Sequence, residues 1–198
     1  HAGIAFQVPM PNQLDDRLAQ VRTILYLAFT EGWLGSTDVT ISDELCEEAI
    51  WLTKHLTTFD PHPETSGLLA LMLLQHSRRA TRTDDHGHLV EFERQDRTRW
   101  DRTAVEEART LLADAHDGTI GRYRVEAAIA LLHVVGDQPD WARIADLHRI
   151  LRTVNPSPIV ALNHAIAVGM ADGPHAGLAM LATVETDGRL IDHCAFHA

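Results

Sequence analysis

The residues best suited to chemistry concentrate in one short segment, 95–101, which reads QDRTRWD. The segment holds Asp96, Arg97, Arg99, Trp100 and Asp101. Arginine and carboxylate groups form bidentate ion pairs, and the tryptophan ring offers a large face for stacking. Two interpretations remain open. The segment is either an internal ion-pair network that holds the preceding turn against the next helix, or a contact surface for a partner, because Trp and Arg dominate binding hot spots.

A second polar and aromatic segment, Glu31, Gly32 and Trp33, stands at the predicted end of the first helix. Gly32 is suited to the left-handed conformation that stops a helix, and Trp33 is then expected to fold back over the apolar stripe. Together with the acids, arginines and tryptophan of the other segment, they form the set of candidate protein-contact residues: Glu31, Gly32, Trp33, Asp96, Arg97, Arg99, Trp100 and Asp101. We expect the two segments to lie near each other, with Trp33 and Trp100 within about 20 Å, or two helix diameters.

The chain contains 13 histidines, which raises the question of a metal site. His-Glu-x-x-His and paired Cys-x-x-Cys patterns are absent from the sequence, so it lacks the specific zinc signatures. The densest cluster, residues 84–93, includes His86 and His88 and is interpreted as a solvated turn. Three other histidines lie on predicted helices and are interpreted as packed or surface residues rather than metal ligands: His133, His148 and His164. We therefore expect no metal site.

Signatures of catalysis are also missing from the sequence. It contains no Gly-x-Ser-x-Gly motif and no glycine-rich phosphate-binding loop. Cys46 and Cys194 are expected to behave as small buried hydrophobes rather than as nucleophiles. We predict that the protein is not an enzyme, has no catalytic or cofactor-binding residues and uses no cofactor.

The elements that position these residues are helical almost throughout. Apolar residues recur every three or four positions in 14–29 and again in 45–56, which predicts two amphipathic helices. In 68–74 the apolar residues point all round the axis, a pattern typical of a central, buried helix. Residues 82–95 break the pattern and predict a short β-hairpin or loop. Helical periodicity resumes over 99–116.

The last third of the chain contains a repeat. Residues 141–147 align with the segment 34 positions later, and this period is typical of tetratricopeptide helix pairs. Small residues such as Ala165 and Ala179 are expected to let the paired helices approach closely. The fold class is therefore all-α, a helical bundle that continues into tetratricopeptide-like repeats. We expect a helical unit over 1–118 and repeats, incomplete at the C-terminus, over 119–198, joined in one continuous structural domain.

Composition limits the classes of function. The 198 residues contain 17 Lys and Arg against 28 Asp and Glu, so the formal net charge is −11. This excess of acid argues against direct nucleic-acid binding by the chain, because phosphate contacts need clustered cations. No apolar run reaches about 18 residues, so we expect no membrane contact and a cytoplasmic location.

Five blocks of sequence, in order, carry a family resemblance: FQVP at 6–9, ILYLAFTEGW at 24–33, GLLALMLL at 67–74, QDRTRWD at 95–101 and PSPIVALN at 156–163. Together they resemble the C-terminal extension of certain bacterial extracytoplasmic-function RNA polymerase sigma factors. The resemblance covers nearly the whole chain. It departs from the family pattern at Thr30 and Trp33, where Asn and Tyr are usual.

The resemblance implies a regulatory protein-interaction domain. In that family two DNA- and polymerase-binding regions come first, and the helical extension regulates the sigma factor in place of a separate anti-sigma protein. The implied partners are the sigma DNA-binding regions of the same full-length chain and the RNA polymerase core. Two alternatives stay open: a free-standing scaffold that binds a peptide or protein in a helical groove, and a small-molecule or metal sensor that uses the His-rich turn.

Overall fold

The computed structural model describes residues 10–34, 43–114, 120–136 and 138–184. These residues form an all-α fold, which confirms the predicted fold class, and no strand longer than an isolated bridge occurs among them. The α-helices are α1 (Leu14–Leu34), α2 (Asp43–Phe59), α3 (Pro63–His76), α4 (Arg79–Arg82), α5 (Arg102–Ala113), α6 (Arg122–Val134), α7 (Trp141–Val154), α8 (Pro158–Asp172) and α9 (Pro174–Val184). None of these described helices is both long and apolar enough to cross a membrane.

The central helix is α3, as its apolar residues on every side predict. All residues from 67 to 74 are buried, and α3 packs against α2, α5 and α6. Pro63 stands in the first turn, and the His62 ring caps the helix by accepting a hydrogen bond from the Glu64 amide at 3.1 Å. Gly67 allows the close approach of α6, because a Cβ atom there would lie 2.7 Å from the backbone nitrogen of Arg124.

A carboxylate joins α3 to the N-terminus of α6. The Glu64 side chain accepts hydrogen bonds from the Tyr123 and Arg124 amides, each at 3.0 Å. Anionic groups are favoured at this end of a helix, where amide groups lack partners within the helix. The first hydrophobic core accordingly includes Tyr123 and Ala127 together with α3, so it spans the predicted 118/119 boundary.

Residues 141–184 form helix pairs, with α7 packed on α8 and α8 on α9. The two aligned segments of the repeat fall on α7 and α9, as the helix–turn–helix period predicts. Ala165 is fully buried, but Ala179 is exposed, so its predicted role between helices is wrong. Glycines take that role instead: a Cβ atom on Gly177 would lie 2.8 Å from the Cα atom of Gly169.

Residues 82–95 form a turn with a single antiparallel bridge, Thr83 to Leu89, rather than a regular hairpin. Gly87 adopts φ of 81°, which a glycine accommodates without strain. The predicted helix start near Arg99 is three residues early, because Arg99 ends a 3₁₀ helix and α5 begins at Arg102. The other predicted end, near residue 116, lies outside the described residues.

Cys46 on α2 is fully buried, as the sequence predicts. Its Sγ atom donates a hydrogen bond to the Phe29 carbonyl oxygen at 3.6 Å. Burial raises the pKa of this thiol to about 11, so the reactive thiolate is disfavoured. Cys194 lies outside the described residues.

Candidate functional site

An aromatic–arginine cluster, consisting of Trp33, Arg78, Arg82, Phe92 and Trp100, lies between α1, α4 and the turn. The Arg82 guanidinium lies 4.0 Å from the centroid of the Trp33 ring. Arg78 lies 5.7 Å from the same ring and 4.9 Å from the Phe92 ring, and Phe92 lies 5.5 Å from Trp100. The structure therefore confirms that Trp33 and Trp100 lie near each other. Arg78 and Phe92 connect them.

Trp33 folds back over the buried apolar face of α1, as predicted. Its ring stacks on the Phe29 ring, with the two ring centroids 6.1 Å apart. The stop predicted at Gly32 is wrong: α1 continues through Gly32 to Leu34, and Gly32 does not have positive φ. The helix continues past Gly32 because the Trp33 carbonyl oxygen accepts a hydrogen bond from the Arg82 side chain. Side-chain packing and this bond, rather than a glycine turn, anchor the last turn of α1.

The two acids of the 95–101 segment act as helix caps. Asp96 accepts a hydrogen bond from the Thr98 amide at 3.0 Å, and Asp101 accepts one from the Ala104 amide at the start of α5 at 3.1 Å. Trp100 is 3% exposed, and its indole nitrogen donates to the Thr81 hydroxyl at 3.0 Å. Among the described residues neither acid forms an ion pair with Arg97 or Arg99, so the segment is not the predicted ion-pair network, although Trp100 packs internally.

The two arginines of the segment have different surroundings. Arg97 donates to the Gly136 carbonyl oxygen at 2.8 Å, and its guanidinium lies 5.1 Å from the Trp100 ring centroid. Arg99 is exposed. Hydrogen bonds from Thr98, and then the charge of Arg99, lower the pKa of the Asp96 carboxyl. Arg97 thus holds the turn against the end of α6, whereas Arg99 faces solvent.

The exposed side of α1 carries a second surface, which we call the α1 stripe and define as Ile24, Leu27 and Glu31. Spacings of three and four residues place the three side chains on one helix face. Ile24 and Leu27 are 63% and 60% exposed, whereas Leu25 and Phe29 on the opposite side are buried in the core. Glu31, a candidate contact residue, is exposed at the end of this stripe.

A cavity of about 620 Å³ lies beside the aromatic–arginine cluster and shares Arg78 and Phe92 with it. Its walls come from α1, α3, α6, α7 and α8. Leu74, Ile129 and Leu151 line its middle. This volume falls within the range of about 300–1,000 Å³ that is usual for small-molecule sites.

The near end of the cavity contains an arginine and two histidines. Burial, and then the neighbouring charge of Arg82, lowers the pKa of Arg78 to about 10. Burial also lowers the pKa of His133, helped by the positive charge of Arg78. Burial, followed by the proximity of His164 and His133, lowers the pKa of His148 to about 4. Both histidines lining this end are therefore neutral at pH 7, as packed helical histidines are expected to be.

The far end of the cavity contains an ion pair. Arg122 and Glu126 are 2.8 Å apart, and the Asn155 amide lies 3.5 Å from the Glu126 carboxylate. Burial raises the pKa of Glu126, and the hydrogen bond from Arg122 opposes that shift. Tyr26 on α1 stands over this pair, with its ring centroid 5.0 Å from the Arg122 guanidinium. Each end of the cavity thus presents polar groups around an apolar middle.

Sequence reasoning missed this cavity, because its walls come from five helices that are far apart in the chain. The i,i+4 spacing of Arg122 and Glu126 was the one local signal available. The His-rich turn, which the sequence offered as a possible metal site, is exposed. There Asp84 accepts hydrogen bonds from the His86 and His88 amides. Across the described residues, no group of three His, Cys, Asp or Glu side chains is arranged to hold a metal ion.

The chain is similar to an uncharacterized protein of Rhizobium meliloti (strain 1021), with 42% identity over 186 residues. The match covers 91% of this chain but 44% of that relative, so the chain spans less than half the length of the relative. No solved structure shows significant similarity. Residues 17–116, half of the chain, match the profile of a family of unknown function, DUF6596, and the protein belongs to that family.

Proposed function

We propose that this protein is the regulatory protein-interaction domain of an extracytoplasmic-function sigma factor, and that it modulates transcription initiation. Its partners are the DNA-binding regions of the same full-length chain and the RNA polymerase core. The chain contributes no catalytic step. It acts in the cytoplasm, where it contacts protein and not promoter DNA, in keeping with its net charge of −11.

The observation that carries this proposal is the α1 stripe. Ile24 and Leu27 expose large aliphatic side chains on the helix face opposite the core. Adjacent exposed apolar residues next to a charged rim are typical of protein contact sites. Glu31 supplies a charge at one end of the stripe, so a complementary partner would present an apolar patch beside a cation.

Two further observations support the same conclusion. Three of the five blocks that resemble the sigma-factor extension lie on α1, on α3 and at the start of α8, and the 24–33 block contains the whole α1 stripe. The 95–101 block lies between α4 and α5, and the 6–9 block lies outside the described residues. The relative from Rhizobium meliloti is more than twice as long as the matched region, which leaves room for additional domains. Arg99 is the second candidate contact, because it is exposed whereas Trp100 is buried.

Transcription by the full-length protein tests this proposal. A promoter is first recovered by run-off transcription of genomic DNA with host RNA polymerase core and the full-length protein. The double variant Ile24→Asp/Leu27→Asp is then compared with Leu178→Asp, a matched control because Leu178 is 62% exposed on α9. Loss of an interface anchor costs about 2 kcal/mol or more, so we expect promoter-dependent transcription to change about thirtyfold in the double variant.

Thermal melting separates contact from folding in this experiment. We expect both variants to melt within a few degrees of the parent protein, because all three side chains are exposed. Unchanged transcription in the double variant would contradict the α1 stripe as a contact surface. A full-length reading frame that lacks DNA-binding regions would contradict the sigma-factor assignment itself.

A further inference from the structure

We infer that the cavity beside the aromatic–arginine cluster binds a small organic anion, a carboxylate with an apolar body, whose charged group pairs with Arg78. This binding site goes beyond the proposed function and does not depend on it. A ligand titration reports on the cavity whether or not the α1 stripe binds a sigma factor.

The first step of the argument concerns the charge of Arg78. Its Nη1 atom donates to the Gln95 side-chain oxygen at 3.1 Å, and its guanidinium lies against the Trp33 and Phe92 rings. Among the described residues no carboxylate forms an ion pair with Arg78. Glu93 also lines the cavity, but it is exposed. A largely buried cation that has no counter-charge and lies near a second cation, Arg82, is unfavourable, and an anion supplies the missing partner.

The second step concerns the neutral polar groups near that arginine. His148 is 8% exposed and lines the cavity, and its Nδ1 atom is buried with no hydrogen-bond partner. Buried polar atoms in folded proteins are nearly always paired. The orphan nitrogen is closed off from solvent, so a small turn of the His148 ring toward the cavity is needed before a ligand or water can supply its partner. Because the ring is neutral at pH 7, it offers the ligand a hydrogen bond without a second charge.

The third step concerns the shape of the ligand. Between Arg78 and the far ion pair, the cavity is lined by apolar side chains, including Leu74, Ile129 and Leu151. Arg122 is already paired with Glu126, so the far end has no unpaired charge to offer. Only the Arg78 end therefore attracts charge, and the rest of the cavity favours an apolar body.

Calorimetric titration of the folded protein tests the site. The probes are three carboxylates with apolar bodies, namely octanoate, 4-phenylbutyrate and indole-3-acetate. Each is paired with its primary amide, which has nearly the same shape and no charge. A hydrogen bond to a charged group contributes about 1.5–3 kcal/mol, so at least one acid should bind about tenfold tighter than its amide or more.

Two variants locate the binding. Arg78→Met removes the charge and keeps much of the apolar stem, so acid binding should weaken about tenfold or more, to the level of the amide. Ala130→Phe fills the cavity from α6 without removing any polar group, so it should abolish binding of acid and amide while melting is unchanged or raised. Arg99→Gln, an exposed arginine outside the cavity, is the matched control and should bind as the parent protein does.

Each result decides the question. Preference for an acid over its amide, lost in both cavity variants and kept in Arg99→Gln, supports the site. Equal binding of acid and amide would overturn the role of Arg78. Binding that survives Ala130→Phe would place the ligand elsewhere, and failure of all three acids to bind with Kd below about 1 mM would overturn the site.

Discussion

Two groups of buried or partly buried arginines in the same half of the molecule are stabilised in different ways. In the first, Arg22 on α1 pairs with Asp60 at 2.6 Å, and both side chains are less than 10% exposed. The Thr65 hydroxyl binds the same carboxylate and lies 3.2 Å from Arg22. In the second, the aromatic–arginine cluster, Arg78 and Arg82 lie against aromatic rings and form no ion pair with a carboxylate among the described residues.

The difference separates a structural ion pair from an arginine that is free to bind. Arg22 and Asp60 neutralise each other and connect α1 to the start of α3 through Thr65, so the pair is complete without any ligand. The cluster has aromatic faces, which attract a cation by about 0.5–2 kcal/mol but leave its charge uncompensated. An arginine of the second kind, at the wall of a cavity, is therefore the better candidate for function.

The largest expected effect comes from breaking the complete pair. Asp60→Asn leaves Arg22 buried without a counter-charge, so the free energy of unfolding should fall by about 3–5 kcal/mol. Urea denaturation, followed by circular dichroism at constant pH, measures this loss.

An exposed ion pair provides the control for that experiment. Asp146 and Arg149 are 3.3 Å apart on α7, and both side chains are mostly exposed. Asp146→Asn should change the free energy of unfolding by less than about 0.5 kcal/mol, because exposed pairs contribute little. Similar losses in both variants would show that burial does not distinguish the two pairs.

The next effect concerns the aromatic part of the cluster. Trp100→Leu removes a buried ring, its contacts with Phe92 and Arg97, and the hydrogen bond to Thr81. We expect the free energy of unfolding to fall by about 2–4 kcal/mol, measured by urea denaturation.

Arg99→Ala, one residue away, provides the matched control for Trp100→Leu. Arg99 is exposed, so this variant should stay within about 0.5 kcal/mol of the parent protein. If Arg99→Ala were the more destabilising of the two, the internal role of Trp100 and the outward role of Arg99 would both be contradicted.

Sequence periodicity predicted most of the fold. The all-round apolar pattern of α3 and the 34-residue repeat depend on residues close together in the chain, so both could be read locally. Helix ends were harder to predict. Gly32 is suited to a stop, but α1 continues past it because Trp33 and Arg82 interact across 49 residues of sequence. Contacts of that range leave no local signal.

The candidate site was predictable only in part. The mixture of acid, arginine and tryptophan correctly marked 95–101 as unusual, and the proximity of Trp33 to Trp100 followed from their similar positions at helix edges. Which side chains face outward could not be predicted, because burial of Trp100 depends on Thr81 and Phe92. The cavity could not be predicted either, because its walls also depend on contacts between distant parts of the chain. In the sequence, Arg78 resembles an ordinary cation at the C-terminal end of α3.

Among the variants that change the buried pair or the cluster, the smallest expected effect on stability comes from Arg78, the arginine that lacks a carboxylate. Arg78→Met removes a buried charge and keeps apolar volume, and such replacements are often neutral or stabilising, whereas breaking a complete pair is not. Loss of the Gln95 hydrogen bond and the ring contacts opposes this gain, so the free energy of unfolding should change by about 1 kcal/mol or less. Urea denaturation beside Asp60→Asn makes the comparison direct. A loss as large as that of Asp60→Asn would mean that Arg78 is as fully compensated as Arg22, and that the cluster, like the pair, serves the fold alone.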